Sequence, residues 1–445
     1  MGHHRRALTA IGGFLALGLM QAGTGYDPDE VLQQVRAQVL ASSKRAPGYT
    51  CVETIERKYF RPVTTTRSHA CPTVVGEWRD PALAPELRLA STDRLRLDVT
   101  MMRQSEIYSW VGASRFDAGI DTVVREGPVG SGAFDALLDM IFRTDVKQFR
   151  FEGHKPVAES DLLEYSFRVA QRDSHYWVKT HDSWVASGYS GSIFVEPRSG
   201  GVVRLRVEID DPPLATGICQ TAATLDFGTA PTGAAPFLLP AETRQEFLYP
   251  GGIEAENTMD FAACREYRGE SAISFGPPAS GLTGETGKNV EAQSTGKILR
   301  VDAGLAFTLE LLERIDTDVA AAGDGFRARL AGALRDKKHK TLAPAGSIVE
   351  GRLRRVQSFV SPPQVYLVLA PAALWAGDER VPLAAIRDWS VQRALTGNPG
   401  GMKVLLPYRE EGPAGVFRLP EQHVMVPAGF RSDWRTVGAA AAAAR

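Results

Sequence analysis

Cysteine is scarce in this chain. Its 445 residues hold four, Cys51, Cys71, Cys219 and Cys264, and no two stand at CxxC spacing. That excludes the close Cys or Cys/His pairs from which zinc sites are built. An even count is instead the usage of an oxidising compartment, with all four in disulfides. A surplus of either charge is also missing: Lys and Arg total 51, Asp and Glu 52, and the formal net charge is −1. The totals therefore carry no nucleic-acid footprint. Past the first twenty-five residues no apolar run is long enough to cross a bilayer, so no transmembrane helix is expected after processing. No internal repeat is visible. What remains, 44% hydrophobic residues, is ordinary for a globular protein.

The amino terminus is where a pattern is present. Met1 to Arg6 hold two histidines and two arginines, Ala7 to Met20 are apolar and uncharged, and Ala22, Gly23 and Gly25 are small. A basic segment, a short apolar one and small residues at the cleavage zone make a secretory signal peptide, with cleavage expected between Ala22 and Tyr26. The alternative is an uncleaved anchor, for which the run is short. No cysteine lies near the cleavage zone, which argues against a bacterial lipoprotein. A periplasmic or secreted protein of about 420 residues follows, enough for two or three domains.

Asp27-Pro28-Asp29-Glu30 reads as a helix start. Asp27 can cap free amides, Pro28 sits where a missing N–H costs nothing, and Glu30 completes a capping-box-like arrangement. Val31, Leu32, Val35 and Val39 then recur at helical spacing, until Arg45-Ala46-Pro47-Gly48 stops the helix. From Tyr49 to Phe275 the period is mostly two. Leu95, Leu97, Val99 and Met101 alternate with polar residues, as do Tyr165, Phe167 and Val169, and Val203, Leu205, Val207 and Ile209. This is the pattern of an antiparallel sheet with one apolar face. Pro197 to Gly201 and Pro250-Gly251-Gly252 read as hairpin turns. A second helix is expected near Ser131, with Phe134, Leu137, Leu138 and Ile141 on one side.

Pro277 to Gly296, rich in Gly, Ser, Thr and Pro, reads as a linker. Beyond it, strands are expected over Leu305 to Leu311, Ser347 to Val356 and Val365 to Leu369, with turns at Pro344-Ala345-Gly346 and Ala376-Gly377-Asp378. The fold class is mainly β (α+β): a large curved antiparallel sheet or half-barrel with an N-terminal amphipathic helix, and a smaller C-terminal β domain. The boundaries are 1–25 signal peptide, 26–276 half-barrel-like domain, 277–296 flexible linker, 297–437 C-terminal domain and 438–445 frayed tail. Spacing favours the disulfides Cys51–Cys71 and Cys219–Cys264, although four cysteines allow three pairings and sequence excludes none of them.

Catalytic patterns fail one by one. Gly188-Tyr189-Ser190-Gly191-Ser192 lacks the last glycine of a nucleophile elbow and lies between strands. Gly281 to Asn289 departs from the phosphate-loop pattern at Leu282 and Asn289. Gly127 to Gly132 precedes a helix, so its amides can meet an anion, but it reads as a loop and cap. His175 and His181 have no further metal ligands in sequence. Glu53, Glu56, Asp93 and Asp98 alternate with basic residues and read as the wet face of a sheet, and Arg335 to Lys340 as a solvated basic turn. No catalytic residue, metal ligand or cofactor-binding residue is expected.

Four phrases are distinctive: Tyr49 to Arg57; Gly188 to Ser192 with Phe194-Val195-Glu196-Pro197; Phe237-Leu238-Leu239-Pro240; and Cys264-Arg265-Glu266-Tyr267 with Gly269-Glu270-Ser271. Together they resemble a group of exported acidobacterial proteins that lends no activity. By pattern, the stretch from Asp27 to Phe275 also resembles the periplasmic lipoprotein-carrier (Lol) superfamily: an N-terminal helix, long strands, and a strand–Val-Glu-Pro–turn–strand unit at Phe194 to Ile209. That resemblance implies an open half-barrel whose concave face holds acyl chains. Ala303-Gly304, Ile315 to Asp318, Gly323-Asp324, Leu342 to Ser347 with Gly351, and Val426 to Phe430 are weakly similar to the scaffold family of type IV secretion channels. Without that family's membrane-spanning parts, only a small β module is implied.

Two functions are expected from different classes. The first is a non-enzymatic envelope protein that binds a lipid or lipoprotein acyl chain on the concave face. The second is a structural protein that docks on envelope partners and takes no small-molecule ligand.

Overall fold

The structure, a computed structural model, describes residues 26–64, 70–113, 116, 119–157, 160–180, 183–227, 237–266, 301–387 and 412–438. The expected leader, the linker, residues 439–445, His181 and Gly281 to Asn289 lie outside the described residues.

Helix α1 spans Pro28–Ser43. The Asp27 carboxylate accepts from the amide of Asp29 at 2.9 Å and Pro28 occupies the first turn, as the sequence suggests. Val31, Val35 and Val39 are buried on one face, each contributing roughly 1.5–3 kcal/mol. They meet helix α4, Ala136–Met140, and the π-helical turn Ile141–Asp145 that extends it. Two other short helices are α2, Cys71–Arg79, and α3, Ile120–Val123.

The N-terminal strands are β1 Tyr49–Pro62, β2 Leu87–Met102, β3 Ser105–Trp110, β4 Arg150–Val157, β5 Ser160–Val169, β6 Trp177–Lys179, β7 Trp184–Ala186, β8 Tyr189–Glu196, β9 Gly201–Ile209, β10 Gln220–Asp226, β11 Glu242–Tyr249 and β12 Ile253–Glu266. Ten of them form one antiparallel run in the order β4-β5-β8-β9-β10-β11-β12-β1-β2-β3. β6 and β7 pair separately as a hairpin. The two turns read from sequence close the β8–β9 and β11–β12 hairpins. A register shift at Phe194/Val195 changes one detail: Val202, not Val203, is buried. The fold is mainly β, built on a large curved antiparallel sheet.

The C-terminal strands are β13 Ala306–Leu311, β14 Ile315–Asp316, β15 Gly325–Leu330, β16 Leu334–Arg335, β17 Thr341–Ala343, β18 Ile348–Phe359, β19 Gln364–Ala376, β20 Glu379–Pro382, β21 Ala385–Arg387, β22 Gly415–Leu419, β23 Met425–Val426 and β24 Arg431–Thr436. β19-β18-β15-β13-β24-β21 run antiparallel in that order, with β20 and β22 on the free side of β19. Phe307, Leu353, Val356, Phe417 and Trp434 are among its core residues.

The two parts meet on β2. One edge of β2 pairs with β1 over its length. The other edge takes three partners in turn: β18 at Ser91–Asp93, Ala322 beside Arg94–Arg96, and β3 from Leu97 onward. Ala322 donates to the Arg94 carbonyl and accepts from the Arg96 amide, both at 2.8 Å. Gly323 permits this approach. Its φ is +108°, and a Cβ there would lie 2.2 Å from the Arg96 carbonyl oxygen. Through this seam the sheet counts eighteen strands among the described residues.

All four cysteines are in disulfides, but the pairing favoured by spacing is overturned. The bonds are Cys51–Cys264 and Cys71–Cys219. Sheet order explains the exchange. The chain returns to lay β12 beside β1, so Thr50 faces Arg265 and Cys51 meets Cys264, with Cα atoms 4.0 Å apart. Cys71 opens α2, which packs with Cys219 and Leu248.

Candidate functional site

The inner face of the half-barrel is defined by register. Glu53, Ile55 and Arg57 on β1 lie opposite Phe261, Met259 and Asn257 on β12, and these in turn face Thr243 and Gln245 on β11. Apolar residues continue the face through Leu225, Leu205, Ile193 and Tyr165. In the described residues this face is not an open trough: α1, α4 with its π turn, and the segment around Val124 to Phe134 pack over it, and Ile55, Leu97, Leu205 and Ile193 are wholly buried.

The cover is held at its centre by Glu106. This buried carboxylate accepts from the amides of Gly132 (2.5 Å), Phe134 (2.9 Å), Asp135 (3.1 Å) and Ala136 (3.3 Å), and from the Tyr108 hydroxyl (2.5 Å). The glycine-rich segment before the helix thus does meet an anion, and the anion is the protein's own side chain. Negative charge suits amides left free at a helix start. The helix expected near Ser131 begins at Ala136, because residues 132–135 wrap around Glu106.

Polar groups interrupt the apolar face. Both oxygens of Glu53, the Thr243 hydroxyl, Gln245 Oε1 and Asn257 Oδ1 are buried and meet no hydrogen-bond partner among the described residues. Asn257 donates its amide to the Pro128 carbonyl at 3.0 Å, and the Gln245 amide packs so near Gly130 that a Cβ there would lie 2.6 Å from Nε2. Burial, then the negative charges of Glu106 and Asp260, push the Glu53 carboxyl well above its usual range, which favours the protonated form, an O–H donor. Burial also raises Asp135, at the start of α4, to about 7. A hydrogen bond from Ser43 opposes the shift, and Asp139 and Glu106 add to it.

The reading of Glu53, Glu56, Asp93 and Asp98 as a wet face is therefore corrected. Glu53 and Asp98 are buried. Asp93 takes two bonds from Arg57, and Asp98 pairs with Arg265 and the Gly112 amide. Alternation in sequence does not reveal that a strand is covered on both sides. Glu56 remains partly exposed beside Arg94. His175, largely exposed, bonds the buried Asp145, which also accepts from Tyr189. Ser190 lies within β8 and donates to Asp210. Lys337, Lys338 and Lys340 are exposed on the β16–β17 turn, organised by Asp336. Among the described residues no group of three or more His, Cys, Asp or Glu could hold a metal ion, and no helix is long and apolar enough to cross a membrane.

No protein-family model matches the chain, and no curated protein does. Among solved structures it is similar to a LolA superfamily protein from Nitrosomonas europaea (9% identity, 54% of this chain and 93% of that one, TM-score 0.26). A DUF1329 family protein from Desulfovibrio piger gives 10%, 54%, 95% and 0.25 in the same order. LprF from Mycobacterium bovis gives 8%, 54%, 96% and 0.17. These likenesses are distant.

Proposed function

We propose that the chain is an exported, non-enzymatic envelope protein that binds a lipid or lipoprotein acyl chain between the inner face of the half-barrel and its helical cover. The observation that carries this is Glu53: a fully buried, unpartnered carboxyl in the middle of an apolar face. A buried polar group without a partner is costly, and a core that is complete in itself has little use for one. An amphiphile supplies both needs. Its chain matches the aliphatic lining, and an ester or carboxyl carbonyl accepts from protonated Glu53 and the Thr243 hydroxyl. Entry requires the cover to move, and the cover is short helices and loop. The test is native mass spectrometry, with organic extraction, of protein purified gently from a periplasm. A bound lipid mass is expected, reduced in Glu53→Leu. A clean apo mass under several conditions would overturn the proposal.

A second reading, docking on envelope partners, is favoured by one observation. Trp177 and Trp184 stand exposed on the separate β6–β7 hairpin, and tryptophan is enriched at protein interfaces. Crosslinking in the native host would yield reproducible protein neighbours, lost on Trp177→Ser/Trp184→Ser. Their absence would leave the first reading alone.

A further inference from the structure

Beside the seam, between β2 and β18, lies a cleft of about 580 Å³, within the usual size of small-molecule sites. Among the described residues six arginines line it, Arg57, Arg94, Arg125, Arg352, Arg354 and Arg355, against two carboxylates, Asp93 and Glu126. A bulge in β18 brings two of them, Arg352 and Arg355, to one side. Strict alternation along β18 would set Arg352 and Arg355 on opposite faces. The register shift between Leu353 and Arg355 instead sends Leu353 and Val356 together into the C-terminal core, leaving Arg352 and Arg355 on the cleft side.

Both carboxylates are engaged within the lining. Arg57 holds Asp93 through two bonds, 2.6 and 2.8 Å, and Arg355 pairs with Glu126. Arg352 differs. Its hydrogen bonds go to the carbonyls of Val111 and Gly323, at 2.7 and 2.6 Å, and among the described residues it meets no carboxylate by hydrogen bond. Asp324 and Asp98 act on it only from a distance, since Asp324 pairs with Arg96 and Asp98 with Arg265. Leu95, Trp110 and Pro371 add apolar lining. A guanidinium fork matches the geometry of a phosphate and bonds it in pairs, and several arginines in one cleft suit a group with more than one negative charge.

We propose that the seam cleft binds a phosphate-bearing amphiphile, its phosphate on Arg352 and the neighbouring arginines and its apolar part against Trp110 and Leu95. This cleft adjoins the half-barrel interior and shares Arg57 with its inner face, but Glu53 is not in its lining, so Glu53→Leu tests the first proposal and the arginine variants below test this one. The full mature chain is titrated calorimetrically with dihexanoyl phosphatidic acid, with inorganic phosphate and with dihexanoylglycerol. Saturable binding of the phosphatidic acid is expected, weakening as salt rises. Arg352→Gln should weaken it about tenfold or more. Because Arg352 also ties the seam, the exposed Arg354→Gln is the second variant, expected to bind more weakly with a smaller shift in thermal midpoint than Arg352→Gln. If phosphate displaces the lipid, the site takes free phosphate esters; if not, it takes a lipid headgroup, and both support the proposal. It is overturned if neither phosphate compound binds, if dihexanoylglycerol binds as well as phosphatidic acid, or if both variants bind like the wild type.

Discussion

Arg352 on β18 donates to the carbonyl of Val111, just past β3, across 2.7 Å, and the same nitrogen reaches Gly323. One guanidinium thus bridges the two sides of the seam. We propose that residues 277–296 are a linker between units that fold separately and then dock. Limited proteolysis there should give two fragments that co-elute on gel filtration and part only in denaturant. Separate elution of the nicked material in buffer would show that the seam does not hold.

Gly323→Ala should destabilise the protein by about 1–3 kcal/mol, through the clash with the Arg96 carbonyl and the positive φ. The usual effect of this exchange is the reverse, since alanine restricts the unfolded chain. Gly332, with nothing within 4 Å of a Cβ, is the control and should change little. Thermal midpoints of the two variants decide it; equal shifts would remove the close approach from the account.

Glu106→Ala should cost about 3–5 kcal/mol, because it leaves buried amides at 132–136 and the Tyr108 hydroxyl without their acceptor. Glu106→Gln keeps an acceptor and should cost less. Hydrogen exchange would report the loss locally, as faster exchange at residues 132–136 before any change in the sheet.

Asp135 gives a pH dependence. Its folded-state pKa is raised to about 7 from 3.8, so between those values the folded chain binds more protons than the unfolded one. Stability from this group therefore falls as pH rises from about 4 to about 7, and is flat above. Asp135→Asn removes the slope, a relative gain on the order of 4 kcal/mol at pH 8 against pH 4. Urea unfolding of both proteins at pH 4, 6 and 8 tests this; a difference that does not grow with pH would refute the assignment.

Non-reducing peptide mapping should recover Cys51–Cys264 and Cys71–Cys219. The bonds span 213 and 148 residues, and replacing either pair by alanine should cost about 3–5 kcal/mol through the freed unfolded state. Recovery of Cys51–Cys71 would contradict the placement of β12 beside β1.

Local structure was legible in the sequence where it depends on neighbours along the chain. Asp27-Pro28 announced α1, the alternation at Leu95 to Met101 announced β2, and Pro250-Gly251-Gly252 announced the β11–β12 hairpin. Strand order was not legible, because β1 finds β12 across some two hundred residues, and the disulfides follow strand order. The arginines of the seam cleft were hidden for a related reason. Arg352-Leu353-Arg354-Arg355 reads as a half-wet strand, and only the bulge, a backbone event, brings two of the four to one side. Glu53 looked like surface charge, and Glu106 did not stand out at all, because nothing in their own strands shows that a distant segment will cover them.

The two disulfides are nested: the Cys71–Cys219 bridge lies inside the loop closed by Cys51–Cys264. A chain that emerges N-terminus first presents Cys51 and Cys71 to each other long before Cys219 or Cys264 arrives. Oxidation in order of appearance therefore traps the wrong partners. The native connectivity has to wait for the last strand of the half-barrel, or be reached by thiol exchange, whereas consecutive bridges could close in order of appearance.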